Sequence, residues 1–167
     1  MQWQSPPWWF RLFALVICAT GSVTLLNAQS DSSAASPAEM TAHERTVLTA
    51  SFAQEKLSLW QKRLNLQDWT ITVQVARASE LKPKTLGNIH WNLDKKTAII
   101  RVLDPADYRL PFQAMLEDVE FTVVHELIHL DMAPVLTDLQ RSDANRREEE
   151  HAVNHLADAL LKLDRGR

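Results

Sequence analysis

His125, Glu126 and His129 form an H-E-x-x-H pattern inside an apolar segment of the chain. On an α-helix, residues four apart lie on one face, so both imidazoles can reach the same metal ion. The glutamate between them lies beside that ion and can accept a proton from a water molecule. The pattern therefore predicts zinc-assisted hydrolysis, the chemistry of a zinc peptidase, with Glu126 as the catalytic base.

The segment that carries this pattern is predicted to be a buried helix. Apolar residues recur there at helical spacing: Leu116, Val119, Val123, Leu127 and Leu130. Histidine and glutamate side chains in a buried helix need polar partners, and a metal ion would provide one. The alternative is that both histidines are hydrogen-bonded core residues. Pro134 is expected to end the helix near Ala133.

Catalytic zinc usually has three protein ligands and a water molecule, so a third ligand is expected elsewhere. Residues 146–161 predict a second helix, and an apolar stripe runs along it and just past its end: Val153, Leu156, Leu160 and Leu163. Its first turn carries three glutamates: Glu148, Glu149 and Glu150. Their acidic side chains also suit a solvated helix start, because the helix dipole favours negative charge there.

Glu150 is the predicted third ligand, because Ala157 and Leu161 follow it on the same helical face and suit the protein interior. Asn154 lies on that face too and is predicted to orient a ligand through a hydrogen bond. Glu149, on a neighbouring face, is the alternative ligand. The first of the three glutamates is the least favoured.

The two motifs together resemble a known group of enzymes. His125-Glu126-x-x-His129 followed by Glu150-x-x-Val153-Asn154-x-Leu156-Ala157 is similar to the compact gluzincin-type zincin metallopeptidases. These include the small repressor-cleaving metallopeptidases of mobile elements, whose second motif reads Glu-x-x-Ala-Asn-x-Phe-Ala. The resemblance covers mainly residues 115–163. It implies zinc bound by two histidines and a glutamate, a catalytic base in the first motif, and a small sheet packed on the active-site helix.

The amino terminus has the layout of a targeting segment. Residues 12–28 are mostly apolar, Arg11 precedes them, and the first acidic residue is Asp31. Residues 1–28 are therefore predicted to be a signal peptide cleaved after Ala28, or alternatively an uncleaved membrane anchor. Residues 29–38 are predicted to be a flexible linker, and residues 39–167 the metallopeptidase domain. The domain is expected to be exported, to the periplasm or the cell exterior.

The charge and the cysteine content of the chain limit the partners and the cross-links that can be expected. The 167-residue chain has a formal net charge of −3 at pH 7 and no run of lysine or arginine, so nucleic acid is not an expected partner. Membrane contact is expected only through the amino-terminal segment, and a peptide or protein is the expected substrate. Cys18, in the predicted leader, is the only cysteine, so the exported domain can form no internal disulfide.

The remaining segments predict an α+β domain. Residues 39–64 have helical periodicity, and residues 69–75, 87–93 and 98–103 read as three strands, the last two forming a hairpin. The expected fold is a small antiparallel-containing sheet packed on the motif helix, with a long helix at each end of the domain. Residues 98–103 are suggested as an edge strand to which an extended peptide could add.

Other polar residues are weaker candidates. His151 and His155 are four residues apart and could bind metal, although solvated roles are favoured. Tyr108 could polarise a substrate carbonyl, although a packed loop residue is favoured. Asp118 could support a ligand, but it is expected instead to help start the motif helix with Glu117 and Glu120.

Two other functions compete with the peptidase. One is a non-catalytic, zinc-stabilised binding domain at the cell envelope. Glu126 argues against it, because a structural metal site needs no base. The other is a metal-dependent hydrolase that acts on a non-peptide amide.

Overall fold

The computed structural model describes residues 40–137, 140 and 142–166. In this part of the chain, three α-helices and a three-stranded sheet form one compact unit. The helices are α1 (Ala42–Arg63), α2 (Phe112–Leu136) and α3 (Asp143–Asp164), and the strands are β1 (Thr70–Ala76), β2 (Gly87–Asn92) and β3 (Thr97–Leu103). The predicted α+β class, with a long helix at each end of the domain, is confirmed.

The predicted leader, residues 1–28, and the predicted linker, residues 29–38, lie outside the described residues. Among the helices that are described, none has the length and hydropathy needed to cross a bilayer.

A capping box marks the start of helix α1, and a residue with a left-handed backbone follows its end. The Glu44 N–H donates to the Thr41 hydroxyl, and the Glu44 carboxylate accepts from the Thr41 N–H at 2.8 Å, which is a capping box. At the other end Asn65 has a left-handed φ of 56°, a conformation that asparagine tolerates better than most residues. Leu57 and Trp60 then bury one face of the helix in the core.

The sheet has the order β1-β3-β2, so β3 is its central strand. β3 is antiparallel to β2, which confirms the predicted hairpin, and parallel to β1 on its other side. The suggestion that residues 98–103 form an edge strand is therefore wrong. The alternate residues of β3, Ala98, Ile100 and Val102, are buried, which suits a central strand. The sequence of β3 does not reveal this position, because pairing with β1 depends on residues that are distant in sequence. β1 and β2 are the edges.

Helix α2 packs between the sheet and the other two helices. Its buried residues include Val119, Val123, Leu127 and Leu130, which join the buried face of β3 and residues of α1 and α3 in one hydrophobic core. The prediction that the motif helix is buried on most sides is thus confirmed. Burial of α2 on several sides holds the H-E-x-x-H pattern in a rigid setting.

The ends of α2 differ from the predicted ones. The helix continues through Pro134 to Leu136, so Pro134 does not end it at Ala133. A proline this close to the carboxyl end removes only one late hydrogen bond, and the Thr137 hydroxyl donates to the Ala133 carbonyl at 2.8 Å. Because the helix begins at Phe112, Asp118 and Glu120 lie beyond its first turn and do not start it.

Glu120 instead joins the three helices through a buried carboxylate. It accepts hydrogen bonds from Trp60 Nε1 at 3.2 Å and from Arg165 at 2.9 Å, and Lys56 Nζ lies 3.4 Å away. Burial raises the pKa of Glu120, but these donors outweigh it and leave the pKa below its ordinary value. The carboxylate is therefore ionised and fixes the packing of α1 and α3 against α2.

Candidate metal centre

Helix α2 places both histidines of the motif on one face. His125 and His129 lie one turn apart, with their ring centroids 4.7 Å apart and their Nε2 atoms separated by 3.1 Å. Their side chains are largely buried, with 14% and 9% of their surface exposed. The pair therefore directs two ring nitrogens towards a single point.

Helix α3 brings Glu150 to the same point. Glu150 Oε2 lies 3.4 Å from His125 Nε2 and 3.6 Å from His129 Nε2. The three side chains form the group that could hold a metal ion, with their ligand atoms within 4.8 Å of one another. His125, His129 and Glu150 are the three ligands predicted from the sequence, and the structure brings them together.

The packing of α3 explains why Glu150 faces α2. The Ser142 hydroxyl caps the helix by accepting from the Asn145 N–H at 3.1 Å. Val153, Ala157 and Leu161 are its buried residues, so the helix presents one narrow face to the core. The predicted stripe is only partly right, because it also contains two exposed residues: Leu156 and Leu163.

The distances between the three ligand atoms fit a small tetrahedral ion. Zinc binds histidine nitrogen and carboxylate oxygen at ~2.0–2.2 Å, so neighbouring ligand atoms of a tetrahedron lie about 3.3–3.6 Å apart. The observed separations are 3.1, 3.4 and 3.6 Å. Two imidazole nitrogens and one carboxylate oxygen are also a ligand set that zinc uses in catalytic sites.

Glu149 contacts the other nitrogen of His129. Its Oε1 atom lies 3.0 Å from His129 Nδ1, and only 13% of its side chain is exposed. Because the carboxylate accepts a hydrogen bond there, the Nδ1 atom carries the proton and the Nε2 atom keeps its lone pair for a metal. Glu149, the alternative ligand from the sequence, therefore lies behind His129 and outside the three-residue cluster.

His125 is held differently. Its Nδ1 atom is buried and has no hydrogen-bond partner among the described residues. Burial and the neighbouring His129 lower the pKa of His125, while Glu150 and Asn154 act in the opposite direction. The imidazole is therefore neutral near pH 7, the form that binds metal. Asn154 is the residue predicted to orient a ligand, and it lies beside His125 at the cleft.

Glu126 is a buried carboxyl in the wall of the cleft, with 7% of its surface exposed. Burial and the nearby Glu150 raise its pKa to about 8, although the positive charge of Lys82 opposes them. A carboxyl whose pKa lies near neutrality can exchange a proton under physiological conditions. A cation in the cleft would lower this pKa, because opposite charge favours the ionised form.

The cluster opens into a cleft of about 420 Å³. α2 and α3 form one side, and β2 with the connection before it forms the other. β2 lies very close to α2, because a Cβ atom on Gly87 would lie 2.4 Å from Thr122 Cγ2. Thr122 is one helical turn before Glu126, so an edge strand of the sheet runs beside the reactive side chains.

The weaker candidates lie outside this cleft. His151 and His155 are exposed on α3, with ring centroids 4.1 Å apart. Tyr108 packs against a small apolar cluster of Ala76, Leu81 and Leu103, where burial raises the pKa of its hydroxyl. The structure places none of them beside Glu126 or the histidine pair.

Several residues of the cleft have no signal in the sequence. The contact of Glu149 with His129 depends on the rotation of α3 against α2, and Lys82 enters the cleft from a connection far from either motif. Comparison with protein-family models, curated proteins and solved structures finds no significant match to this chain. The geometry of the cleft is therefore the basis of the functional argument.

Proposed function

We propose that this chain is a zinc-dependent peptidase of the compact gluzincin type. The observation that carries the proposal is the convergence of His125 Nε2, His129 Nε2 and Glu150 Oε2 at separations that fit one tetrahedral ion. Glu126, on the same helix as the histidines and in the wall of the cleft, supplies the base that hydrolysis by a metal-bound water needs. The short sheet and the two helices that carry the site also agree with the resemblance of the motifs.

In the proposed reaction His125, His129 and Glu150 hold the zinc ion. When bound, zinc lowers the pKa of a water ligand to about 7 and polarises a carbonyl group. Glu126 accepts a proton from the attacking water and delivers it to the nitrogen of the leaving amine, so that its own charge is restored. Glu149 keeps His129 in the tautomer that presents Nε2 to the cleft.

β2 is the strand that could align an extended peptide. The Leu103 N–H donates to the Leu86 carbonyl at 2.9 Å, so this carbonyl points towards β3. Backbone groups alternate along a strand, so those of Gly87, Ile89 and Trp91 point to the free edge beside the cleft. A substrate backbone can pair with this edge while its scissile bond faces Glu126.

The proposal is tested by incubating the purified protein with a mixed peptide library. We expect cleavage that stops when a chelator removes the metal and returns when zinc is added. Cleavage that persists at full rate in the chelated protein would contradict zinc-dependent hydrolysis.

We also propose that the domain is exported, because residues 12–28 have the layout of a signal peptide or membrane anchor. A reporter fused after Gln29 should appear outside the cytoplasm. Mass spectrometry then separates the two alternatives, since a mature start near Gln29 indicates cleavage and an exported chain that retains Met1 indicates an anchor. A cytoplasmic reporter would contradict export.

A further inference from the structure

The connection before β2 presents two lysines at the cleft. The Thr85 N–H donates to the Lys82 carbonyl at 3.2 Å, and the Thr85 hydroxyl donates to the same oxygen at 2.8 Å. Pro83 follows Lys82, and Lys84 has a left-handed φ of 66°. This is the arrangement of a type II turn, in which proline favours the second position and glycine or asparagine the third.

Lysine is an unfavourable residue for the third position of this turn. A left-handed φ brings the Cβ atom of a non-glycine residue too close to the neighbouring backbone. Residues held in such conformations are frequent at ligand-binding sites, where the side chain has a use that offsets the backbone cost. A use for the Lys84 side chain would therefore explain why lysine occupies this position.

Both lysines line the cleft that contains the candidate metal centre. Three basic side chains line the cleft, and we call them the cationic rim: Lys82, Lys84 and Arg146. Among the described residues, neither lysine has an ion-pair partner within 4.0 Å. The cleft also holds three carboxyl groups: Glu126, Glu149 and Glu150. When all three are ionised, their charges balance those of the rim, so a bound zinc ion would give the cleft a positive charge in a chain that is negative overall.

The position of the rim relates it to the substrate path. The turn ends at Thr85, two residues before Gly87 begins β2. A peptide paired with the free edge of β2 therefore has one end beside Lys82 and Lys84. Since strand residues advance ~3.3 Å each, the rim lies within a few residues of any bond that faces Glu126.

We propose that the cationic rim binds a carboxylate of the substrate, so that the site selects peptides with an acidic side chain or a free carboxyl terminus near the scissile bond. This inference rests on the proposed peptidase function and adds its substrate class. The two sources of carboxylate share one chemistry, and the experiment separates them.

The test measures binding without cleavage. The full chain carrying Glu126→Gln is loaded with zinc and titrated into fluorescein-labelled peptides of one core sequence, and the dissociation constant is read from anisotropy. One peptide has a glutamate with an amidated carboxyl terminus, one has glutamine with a free carboxyl terminus, and the reference has glutamine and an amide. Each exposed charge pair contributes up to about fivefold in affinity, so two lysines predict roughly tenfold tighter binding of a carboxylate peptide.

Substitutions assign this preference to the rim. Lys82→Gln combined with Lys84→Asn should reduce the ratio of affinities by roughly tenfold, leaving at most the contribution of Arg146, whereas Lys95→Gln should preserve the ratio. Lys95 is the matched control, because it is an exposed lysine in the turn after β2 and lies outside the cleft. Lys84→Asn alone should leave Tm unchanged or raise it, because asparagine tolerates the left-handed φ. About 1 M salt, where the Debye length is ~3 Å, should also abolish the preference.

The outcomes divide cleanly. Preference for either carboxylate peptide that is strongly reduced in the Lys82/Lys84 double variant supports the proposal and identifies the source of the carboxylate. Equal binding of all peptides, no binding of any, or a preference that is undiminished in the double variant overturns it. A lower Tm for Lys84→Asn would assign Lys84 to the fold and overturn its role. If the wild-type protein cleaves peptides while the affinities are equal, the carboxylate preference of the rim is refuted and the proposed peptidase function stands. If no peptide is cleaved but the preference exists, the rim binds carboxylates and the peptidase function is refuted.

Discussion

Replacing Glu149 tests whether this residue supports the metal site through His129. Its Oε1 atom is 3.0 Å from His129 Nδ1, on the side of the ring that faces away from His125 and Glu150. Groups that hold a metal-binding histidine in this way typically change metal affinity by ~10–100-fold when removed, or about 1.4–2.7 kcal/mol. Glutamine keeps an oxygen acceptor but loses the charge, which makes the hydrogen bond about half as strong. We therefore expect Glu149→Gln to lie near the lower limit and Glu149→Ala near the upper one.

The assay is competition for zinc with a chromophoric chelator, applied to the wild-type protein and each variant. Glu148→Gln is the matched control, because Glu148 is an exposed neighbour in the same helical turn and does not contact either histidine. Wild-type affinity in Glu149→Ala would refute the role of the hydrogen bond. Loss of zinc in Glu149→Gln as complete as in Glu150→Gln would refute the assignment of the third ligand, since Glu149 would then bind the ion directly.

Two further predictions concern the frame that holds the site. Glu120→Gln should lower the free energy of unfolding by about 1–3 kcal/mol, because it weakens the buried contact with Arg165, whereas Asp158→Asn should cost much less in the same denaturation experiment. The pKa of Glu120 is depressed in the fold, so its contribution is complete above the ordinary value of 4.5 and is lost as the pH falls through the lower folded value. An unchanged difference between wild type and Glu120→Gln at acid pH would contradict this linkage. Gly87→Ala should cost about 1–3 kcal/mol and reduce hydrolysis, because its Cβ atom would lie 2.4 Å from Thr122 Cγ2 and 2.5 Å from the backbone oxygen of Arg101. Wild-type stability in Gly87→Ala would show that β2 is not held so tightly.

Local spacing explains what could be predicted from the sequence. His125 and His129 had to share a helical face once their segment was helical, and the apolar residues around them made it helical and buried. The same arithmetic separated Glu150 from Glu149, because adjacent helical residues point about 100° apart. Each of these inferences depends on residues within one helix.

Contacts between distant segments explain what could not. The position of β3 at the centre of the sheet depends on its pairing with β1, which no feature of residues 98–103 reveals. The burial of Glu120 depends on Trp60 and Arg165, which approach it from both ends of the domain. Its spacing from neighbouring acids suggested a helix start, and only the tertiary structure shows a buried ionic contact.

The central claim is that one set of residues binds zinc and another carries out proton transfer. It is tested by measuring zinc content and peptide hydrolysis together in the wild type, Glu126→Gln and Glu150→Gln. We expect about one zinc ion per chain and hydrolysis in the wild type, zinc without hydrolysis in Glu126→Gln, and loss of both in Glu150→Gln. A wild-type protein that binds no zinc after reconstitution would contradict the account, and full hydrolysis in Glu126→Gln would contradict the role of the base. Zinc binding without any hydrolysis in the wild type would favour a zinc-stabilised binding domain over a peptidase.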